Sequence, residues 1–510
     1  MTASAIFVTG LAANDPVPGV YPEVNFAQGA ASGNSSAYEV LLIGNKTSAG
    51  SATVDTAVYG PDSTTQMQTE QDVIALFGPG SELHCMWRAF TKSNKDSVVR
   101  AIAVTESAGS AATGTITIAT TATGAGTLKV WVGAESAEAS IVSGDTATVI
   151  GDAIVSAINA NTHWPVTAAN ASGTVTLTLK TKGPRGNQVR YMAAILSNGA
   201  SIATTVTPTA DTACTGGTTA DSNVTALSTI SADRYYYIVS AAGDATQLGA
   251  LATQVNTMSL PTTNKRQRVF AGAVGTLSAT NTIATGLNNP RVEIFWSEKS
   301  SHTEAELAAY VAGVCALGEL NTDKWRLSFI GYGNTAKSAE TWFVKAPRLA
   351  SARPSRTSIK SALNNGVSPI AVNPNGTTYL VDRVTSRSLS GSVADYRIRD
   401  SHKVTICDRF ADELVTKISL NHSEKAIGND PLPGAPFPGE TVVTPKIIKG
   451  DIYGLLDKFD SNSLLQDVQL IKDQIVVQRE SNPTTRMGIR VPLRPIDLAK
   501  QFAIAIDQVA

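Results

Sequence analysis

Apolar positions along the chain fall into short runs, and the spacing within those runs changes several times. Val40-Leu41-Leu42-Ile43 is unbroken and ends at Gly44, the pattern of a strand covered on both faces. Thr69-Glu70-Gln71-Asp72 offers an N-cap and an acidic first turn, and Gly78-Pro79-Gly80 stops the helix so begun. A second helix opens at Ser81 and carries Leu83, Met86, Trp87 and Phe90 on one face; residues 98–104 (VVRAIAV) predict the next strand. Strand, helices and strand make a βαβ arrangement, the component of a layered α/β sheet.

Beyond Glu106 the pattern shortens. Between Ser107 and Leu179 the formal charges are Lys129, Glu135, Glu138, Asp145 and Asp152. Thr/Val/Ile runs at 115–119, 127–132, 166–168 and 174–179 alternate with Gly-containing turns, and one helix, 146–160, interrupts them. These features predict a small β-rich α+β domain inserted into the first, ending in a Thr/Ala linker around 204–220.

Strand–helix alternation then returns. Strands at 235–239, 268–271 and 291–296 lead into helices at 245–258, 278–287 and 303–320. Such repetition predicts a mainly parallel, doubly wound sheet with right-handed crossovers, completed by the segments on either side of the insertion. From Arg356 come a helix at 358–364 closing at Gly366 and a hairpin at 368–384 turning at Asn375-Gly376. A helix at 404–418, a Pro/Gly-rich loop at 430–439 and helices at 445–459 and 463–471 follow.

Three extended runs end the sequence: Ile475-Val476-Val477, then Met487–Leu493 with apolar residues at alternate positions, then Phe502-Ala503-Ile504-Ala505-Ile506. Pro492 and Pro495 cannot donate ladder hydrogen bonds, so these are edge strands that must join an existing sheet, the chain's own or that of another copy. At the other end, residues 1–37 are rich in Gly, Ala, Ser and Pro and read as an extended arm. The expected division is an arm at 1–37, a split α/β core at 38–106 and 221–355, an inserted β-rich domain at 107–220, an α+β domain at 356–480, and terminal strands at 481–510.

Composition narrows the function. A chain of 510 residues is too long for one core. Charged residues make up 16%, against roughly 25% in ordinary soluble domains. That suits a small-residue β-rich protein, or one whose surface is covered by copies of itself. The formal net charge of −1 gives no sign of a basic nucleic-acid-binding domain. Cys85, Cys214, Cys315 and Cys407 form no CxxC pair, against a disulfide scaffold or a zinc site, and Cys315 reads as a small core residue in a helix. No apolar run approaches 18 residues and no basic-then-apolar leader opens the chain, so neither a membrane span nor a secretion signal is expected.

A doubly wound sheet invites a search for a nucleotide site. Gly44-Asn45-Lys46-Thr47 follows a strand, as a phosphate loop would, but lacks the upstream Gly and the adjacent Gly-Lys pair, and reads as a turn. His84, His163, His302, His402 and His422 fall in no HxH or HExxH pattern, so no metal is expected. His302 precedes a helix, but no Gly-flanked nucleophile accompanies it, and it reads as a surface residue at that helix's N-terminus. Lys345, Arg348, Arg353, Arg356 and Lys360 lack the interleaved aromatics of a nucleic-acid platform, leaving a solvated loop or a patch facing an acidic protein neighbour. No catalytic, cofactor-binding or metal-binding residue is assigned, and no enzyme activity or cofactor is expected.

Four stretches carry a family resemblance. Val17-Pro18-Gly19-Val20-Tyr21 is similar to a proline-glycine arm, residues 126–133 (GTLKVWVG) with the following Ala/Ile helix to a protruding insertion, residues 363–376 to a helix-to-hairpin element, and Val443-Thr444-Pro445 with the helices behind it and the final strands to the end of a C-terminal domain. In this order, over almost the whole chain, they resemble the contractile tail sheath proteins of myophages, especially the Mu-like group. The resemblance implies a subtilisin-like doubly wound α/β core without a catalytic role, an inserted β-rich domain, and an α+β C-terminal domain with strand-exchanging arms. It implies a virion tail protein, assembled in the host cytoplasm as a helical homopolymer of stacked rings around a tail tube protein. Baseplate and tail terminator proteins would be its further partners, with no direct nucleic-acid contact and no membrane insertion. Val17, Val20, Tyr21, Ile489, Val491, Leu493, Phe502, Ile504 and Ile506 become the candidate subunit-interface residues. A type VI secretion or bacteriocin-like sheath, a nucleotide-binding α/β enzyme and a surface adhesin are the alternative readings.

Overall fold

The computed structural model describes residues 39–62, 66–196, 205–320, 331–432 and 439–501. It opens with β1 (Val40–Asn45), β2 (Val58–Tyr59), α1 (Glu70–Phe77), α2 (Glu82–Ser93) and β3 (Val99–Val104). β1 and β3 pair in parallel from Val40 opposite Val99 to Asn45 opposite Val104, and β2 adds antiparallel to β3. Both helices start at their expected caps. The Thr69 hydroxyl accepts the Asp72 N–H at 3.3 Å while the Asp72 carboxylate accepts the Thr69 N–H at 2.8 Å, and the Ser81 hydroxyl accepts from His84 N–H at 3.1 Å.

Residues 111–213 build a different layer structure. It comprises β4 (Ala111–Ile118), β5 (Gly126–Val132), β6 (Glu135–Ile141), α3 (Ala147–Ala160), β7 (Val166–Ala171), β8 (Thr174–Lys182), β9 (Arg190–Leu196), β10 (Val206–Thr207) and β11 (Thr212–Ala213). They form two antiparallel sheets, ordered β10-β4-β8-β7 and β11-β9-β5-β6. Alternation decides the faces: Ile116 and Ile118 of β4 point into a core shared with Leu128, Val130, Ile154 and Leu177, while Thr113, Thr115 and Thr117 point outward. The stretch expected as a Thr/Ala linker is part of this module. β10 lies against β4, Val206 opposite Ile118, and β11 against β9, Thr212 opposite Tyr191. Each short strand satisfies backbone groups that would otherwise be left on a sheet edge.

The chain then returns to the first sheet through α4 (Val224–Ile230), β12 (Tyr237–Ser240), α5 (Ala245–Met258), β13 (Arg268–Ala273), α6 (Leu277–Leu287), β14 (Val292–Trp296) and α7 (Glu304–Leu320). Short α8 (Ala336–Ala339), α9 (Arg356–Asn364), β15 (Ser368–Val372) and β16 (Thr378–Leu380) follow. The completed order is β16-β15-β14-β13-β12-β1-β3-β2, with parallel pairing throughout except for the antiparallel edge strands β16 and β2. Val40, Leu42, Val239, Phe270 and Phe295 face α1, α2 and α7; Leu41, Ile43, Ile238, Val269 and Ile294 face α4, α5, α6 and α9. Helices on both faces make the sheet doubly wound. At Gly272 a Cβ would stand 2.2 Å from the Glu304 carbonyl oxygen, so the start of α7 rests directly on β13. The hairpin expected to belong to the C-terminal domain instead finishes this sheet. β15 joins β14 through Ser368 opposite Phe295, and Gly376 takes the positive φ of 86° that the turn requires.

The remainder holds β17 (Leu389–Ser390), β18 (Val393–Ala394), α10 (Ser401–His422), β19 (Ala426–Ile427), β20 (Val442–Val443), α11 (Pro445–Ser461), α12 (Val468–Gln474), β21 (Val476–Arg479) and β22 (Met487–Arg490). Ile406 and Phe410 of α10, Ile452, Leu456 and Phe459 of α11, and Ile471 of α12 make its core. The rings of Phe410 and Phe459 meet edge to face at 5.1 Å. α12 starts at Val468 rather than 463 because the Gln466 N–H donates to the Arg494 carbonyl at 2.9 Å, drawing that stretch onto the terminal segment.

Candidate assembly surfaces

The terminal strands find each other. β21 and β22 pair from Val476 opposite Arg490 to Arg479 opposite Met487, and the Glu480 N–H donates to the Arg486 carbonyl at 2.9 Å across the Asn482-Pro483 bend. This corrects the expectation that each run must seek a pre-existing sheet: the bend is short enough to fold one strand back on the other. Among the described residues no third strand pairs with either outer edge of this ribbon. Such a ribbon is marginal alone, and its apolar face holds it: Val477 and Ile489, opposite each other, pack against the C-terminal core.

Those contacts sort the interface candidates. Val491 and Leu493 lie inside the chain's own core at 9% and 2% exposure, and Ile489 is half-buried against it. They are anchors of the ribbon, and inserting them into a neighbour would require this core to open. Val476, by contrast, is 42% exposed, and Leu420 and Leu432 of the same lobe are 78% and 79% exposed. Val17, Val20, Tyr21, Phe502, Ile504 and Ile506 lie outside the described residues.

Between the doubly wound sheet and the C-terminal lobe runs a buried polar seam. Ser401, Thr405, Asp408 and Asp412 recur at spacings of four, three and four and so share one face of α10. They meet Arg266 and Arg268 from the start of β13, and Arg291 and Glu293 from the start of β14. Arg268 donates to the Thr405 hydroxyl at 2.6 Å and the Ser401 hydroxyl at 2.7 Å. Arg383 donates to both Glu293 carboxylate oxygens, at 2.7 and 3.0 Å. Asp412 pairs with Arg266 and Arg234. Burial pushes the Asp408 carboxyl up, but Arg291, Arg266 and Arg268 outweigh it and hold the group below its ordinary value. Sequence reading missed this seam, although the polar stripe on α10 and the alternate charges at 266/268 and 291/293 were its signal.

The crevice at the carboxyl ends of β1 and β12, where crossovers diverge, is the usual ligand position of such a sheet. Here the chain fills it with its own side chains: Arg185, from the turn after β8, donates to both Glu82 oxygens at 2.8 Å and to Asp221 at 2.7 Å. Asn45, the second residue of the phosphate-loop-like stretch, donates its side-chain amide N–H to Asp221 at 2.7 Å, and Lys46 donates to the Gly50 carbonyl at 2.8 Å, closing the turn on itself.

His302 is 4% exposed rather than a surface residue. Its Nε2 accepts the Lys345 N–H at 3.0 Å, which leaves the ring proton on Nδ1. Burial, then Lys345, Lys92 and Arg348, push its pKa down to about 3. The basic cluster divides: Lys345 and Arg348 reach the inserted module, while Arg353, Arg356 and Lys360 are exposed. The acidic neighbour of Arg348 is the chain's own Asp211. The cysteines are buried thiols. Among the described residues no His/Cys/Asp/Glu cluster could hold a metal ion, and no helix is long and apolar enough to cross a membrane.

No protein-family model matches the chain. It is 25% identical over 497 residues, 96% of each chain, to the Mu-like prophage FluMu tail sheath protein of Haemophilus influenzae. Similar solved structures include the sheath tail protein of Desulfitobacterium hafniense, 11% identical with a TM-score of 0.47 over 94% of this chain and 97% of that one. That of Listeria innocua is 13% identical with a TM-score of 0.44 over the same shares. The contracted helical sheath of the anti-feeding prophage is 10% identical with a TM-score of 0.46 over 97% and 99%. The match to the Haemophilus influenzae protein spans 96% of each chain, so this chain is similar to a Mu-like tail sheath protein over nearly its whole length.

Proposed function

We propose that the chain is the structural subunit of a contractile phage tail sheath, polymerising helically around a tail tube and contracting to drive it through the host envelope during genome delivery. The observation that carries this reading is the collinear match over 96% of both chains to a Mu-like tail sheath protein. On this reading the chain acts through assembly rather than catalysis. Its parts are an N-terminal arm, a subtilisin-like core split by a protruding module, and a C-terminal domain ending in strands.

The β21–β22 ribbon is the acceptor in this scheme. Strands donated by neighbouring copies, Phe502–Ile506 from one end and the Val17–Tyr21 arm from the other, add to its outer edges, with Ile504 and Ile506 as the plugs. Each backbone hydrogen bond so formed contributes about 0.5–1.5 kcal/mol net. A head-to-tail contact whose rotation does not close generates a helix, and arms of this kind keep subunits connected while they rotate as bodies. Negative-stain micrographs of the purified chain should show hollow striated cylinders. The double variant Ile504→Asp/Ile506→Asp should give folded subunits without long cylinders. Cylinders of normal length from that variant would remove the strand-exchange assignment.

A further inference from the structure

We propose that the inserted β module is locked onto the doubly wound core by three polar joints, so that module and core form one rigid body. The first joint is the filled crevice. Arg185 is clamped between Glu82, at the start of α2, and Asp221, on the return from the module, with side-chain exposures of 14%, 14% and 2%. Asp221 also accepts the Ser107 N–H at 2.6 Å, tying the outgoing chain to the incoming one, and Glu82 accepts the Asn45 N–H at 3.0 Å from the end of β1. Beside it, Gln188 donates to Glu304 at the start of α7 at 2.9 Å.

The second joint involves a different core element. Arg348 donates to Asp211 at 2.7 Å and to the Gly133 carbonyl, and Lys345 donates to the Ala134 carbonyl at 2.5 Å. Asp211 is held from the module side by Arg190 and has a side-chain exposure of 3%. The third joint is the Gly78-Pro79-Gly80 turn. Lys180 donates to both the Pro79 carbonyl at 3.1 Å and the Thr162 carbonyl at 2.6 Å, and a Cβ at Gly80 would stand 2.1 Å from the Trp164 carbonyl oxygen. Two chain crossings alone would act as a hinge. Joints on α2, α7, the 345–348 segment and the 78–80 turn remove that freedom, because a body held at several separate places cannot pivot without breaking charge-assisted bonds, most of them partly buried. The joint stands whether or not the chain assembles; only its consequence, that the module travels with the core when subunits rearrange, rests on the sheath reading.

Hydrogen exchange of the full chain, read by mass spectrometry, tests the lock, with sedimentation confirming that wild type and variants are compared in the same assembly state. Peptides covering 105–111, 131–135 and 214–223 should exchange slowly in the wild type. In Arg185→Gln/Arg348→Gln these and the 205–213 peptide should exchange about tenfold faster or more, while β7 and β12 peptides keep their protection. Should the double variant fail to fold, Arg348→Gln alone should accelerate 131–135 and 205–213 only. Wild-type crossings exchanging as fast as the exposed 391–394 turn, or variants indistinguishable from wild type, would overturn the proposal.

Discussion

Arg291 and Asp408 face each other as a two-pronged pair, Nη1 to Oδ2 at 2.8 Å and Nη2 to Oδ1 at 2.9 Å, across the boundary between the doubly wound sheet and the C-terminal lobe. Both are buried, at 3% and 1% exposure. A pair of this kind adds little over a well-packed apolar contact, but removing one partner strands the other charge away from water. The pair therefore sets which surface of α10 meets the sheet more than it raises stability.

Asp408→Asn should destabilise the full chain by about 3–5 kcal/mol, read as a fall in the thermal midpoint. Arg291→Met/Asp408→Leu should recover part of the loss. Because the Asp408 carboxyl lies below its ordinary value in the fold, its contribution is present above the unfolded value of 3.8 and disappears as pH falls through the depressed one. A flat acid limb shared by wild type and Asp408→Asn would contradict this.

Glu304 titrates in the opposite sense. Burial, partly offset by Gln188 and Arg185, pushes its pKa up to about 7. The folded chain therefore holds a proton that the unfolded chain has released, and stability declines as pH rises from 4.5 through about 7. That span corresponds to roughly 3 kcal/mol. Glu304→Gln should flatten the decline and raise the thermal midpoint at pH 8, with little change at pH 5.

His302, two residues earlier, works against it. Its pKa falls from 6.5 to about 3 on folding, so stability is lost as pH drops below 6.5, by roughly 5 kcal/mol at the limit. Between pH 4.5 and 6.5 the two groups partly cancel in the wild type. His302→Gln, which can still accept the Lys345 N–H, should expose the Glu304 trend alone as a rise in midpoint on acidification.

Leu493→Ala should cost about 2–5 kcal/mol and loosen the β21–β22 ribbon in the isolated subunit, since Leu493 lies in that subunit's own core. Hydrogen exchange across 476–490 should rise before any assembly step. A subunit of unchanged stability that merely fails to polymerise would contradict the placement.

Local signals were legible and long-range ones were not. Thr69 and Ser81 announced α1 and α2, Asn375-Gly376 announced its hairpin, and the Thr/Val/Ile runs at 115–119 and 174–179 announced strands of the module. The register at which Ser368-Pro369 would extend the large sheet had no local mark. Nor did the pairing of β21 with β22, where two edge runs looked equally able to join a neighbour. His302 shows the same limit: a polar residue before a helix reads as exposed until the 345–348 segment is seen to cover it.

What the sequence determined by itself is the sequence of elements and the faces they bury, because caps, turns and apolar periods act within a few residues of one another. Only the tertiary structure decided that Arg185 would close the crevice on Glu82 and that Arg291 would meet Asp408, partners 103 and 117 positions apart. A charge carries no address along the chain. Its partner is chosen by which elements pack together and by the cost of leaving either group buried alone.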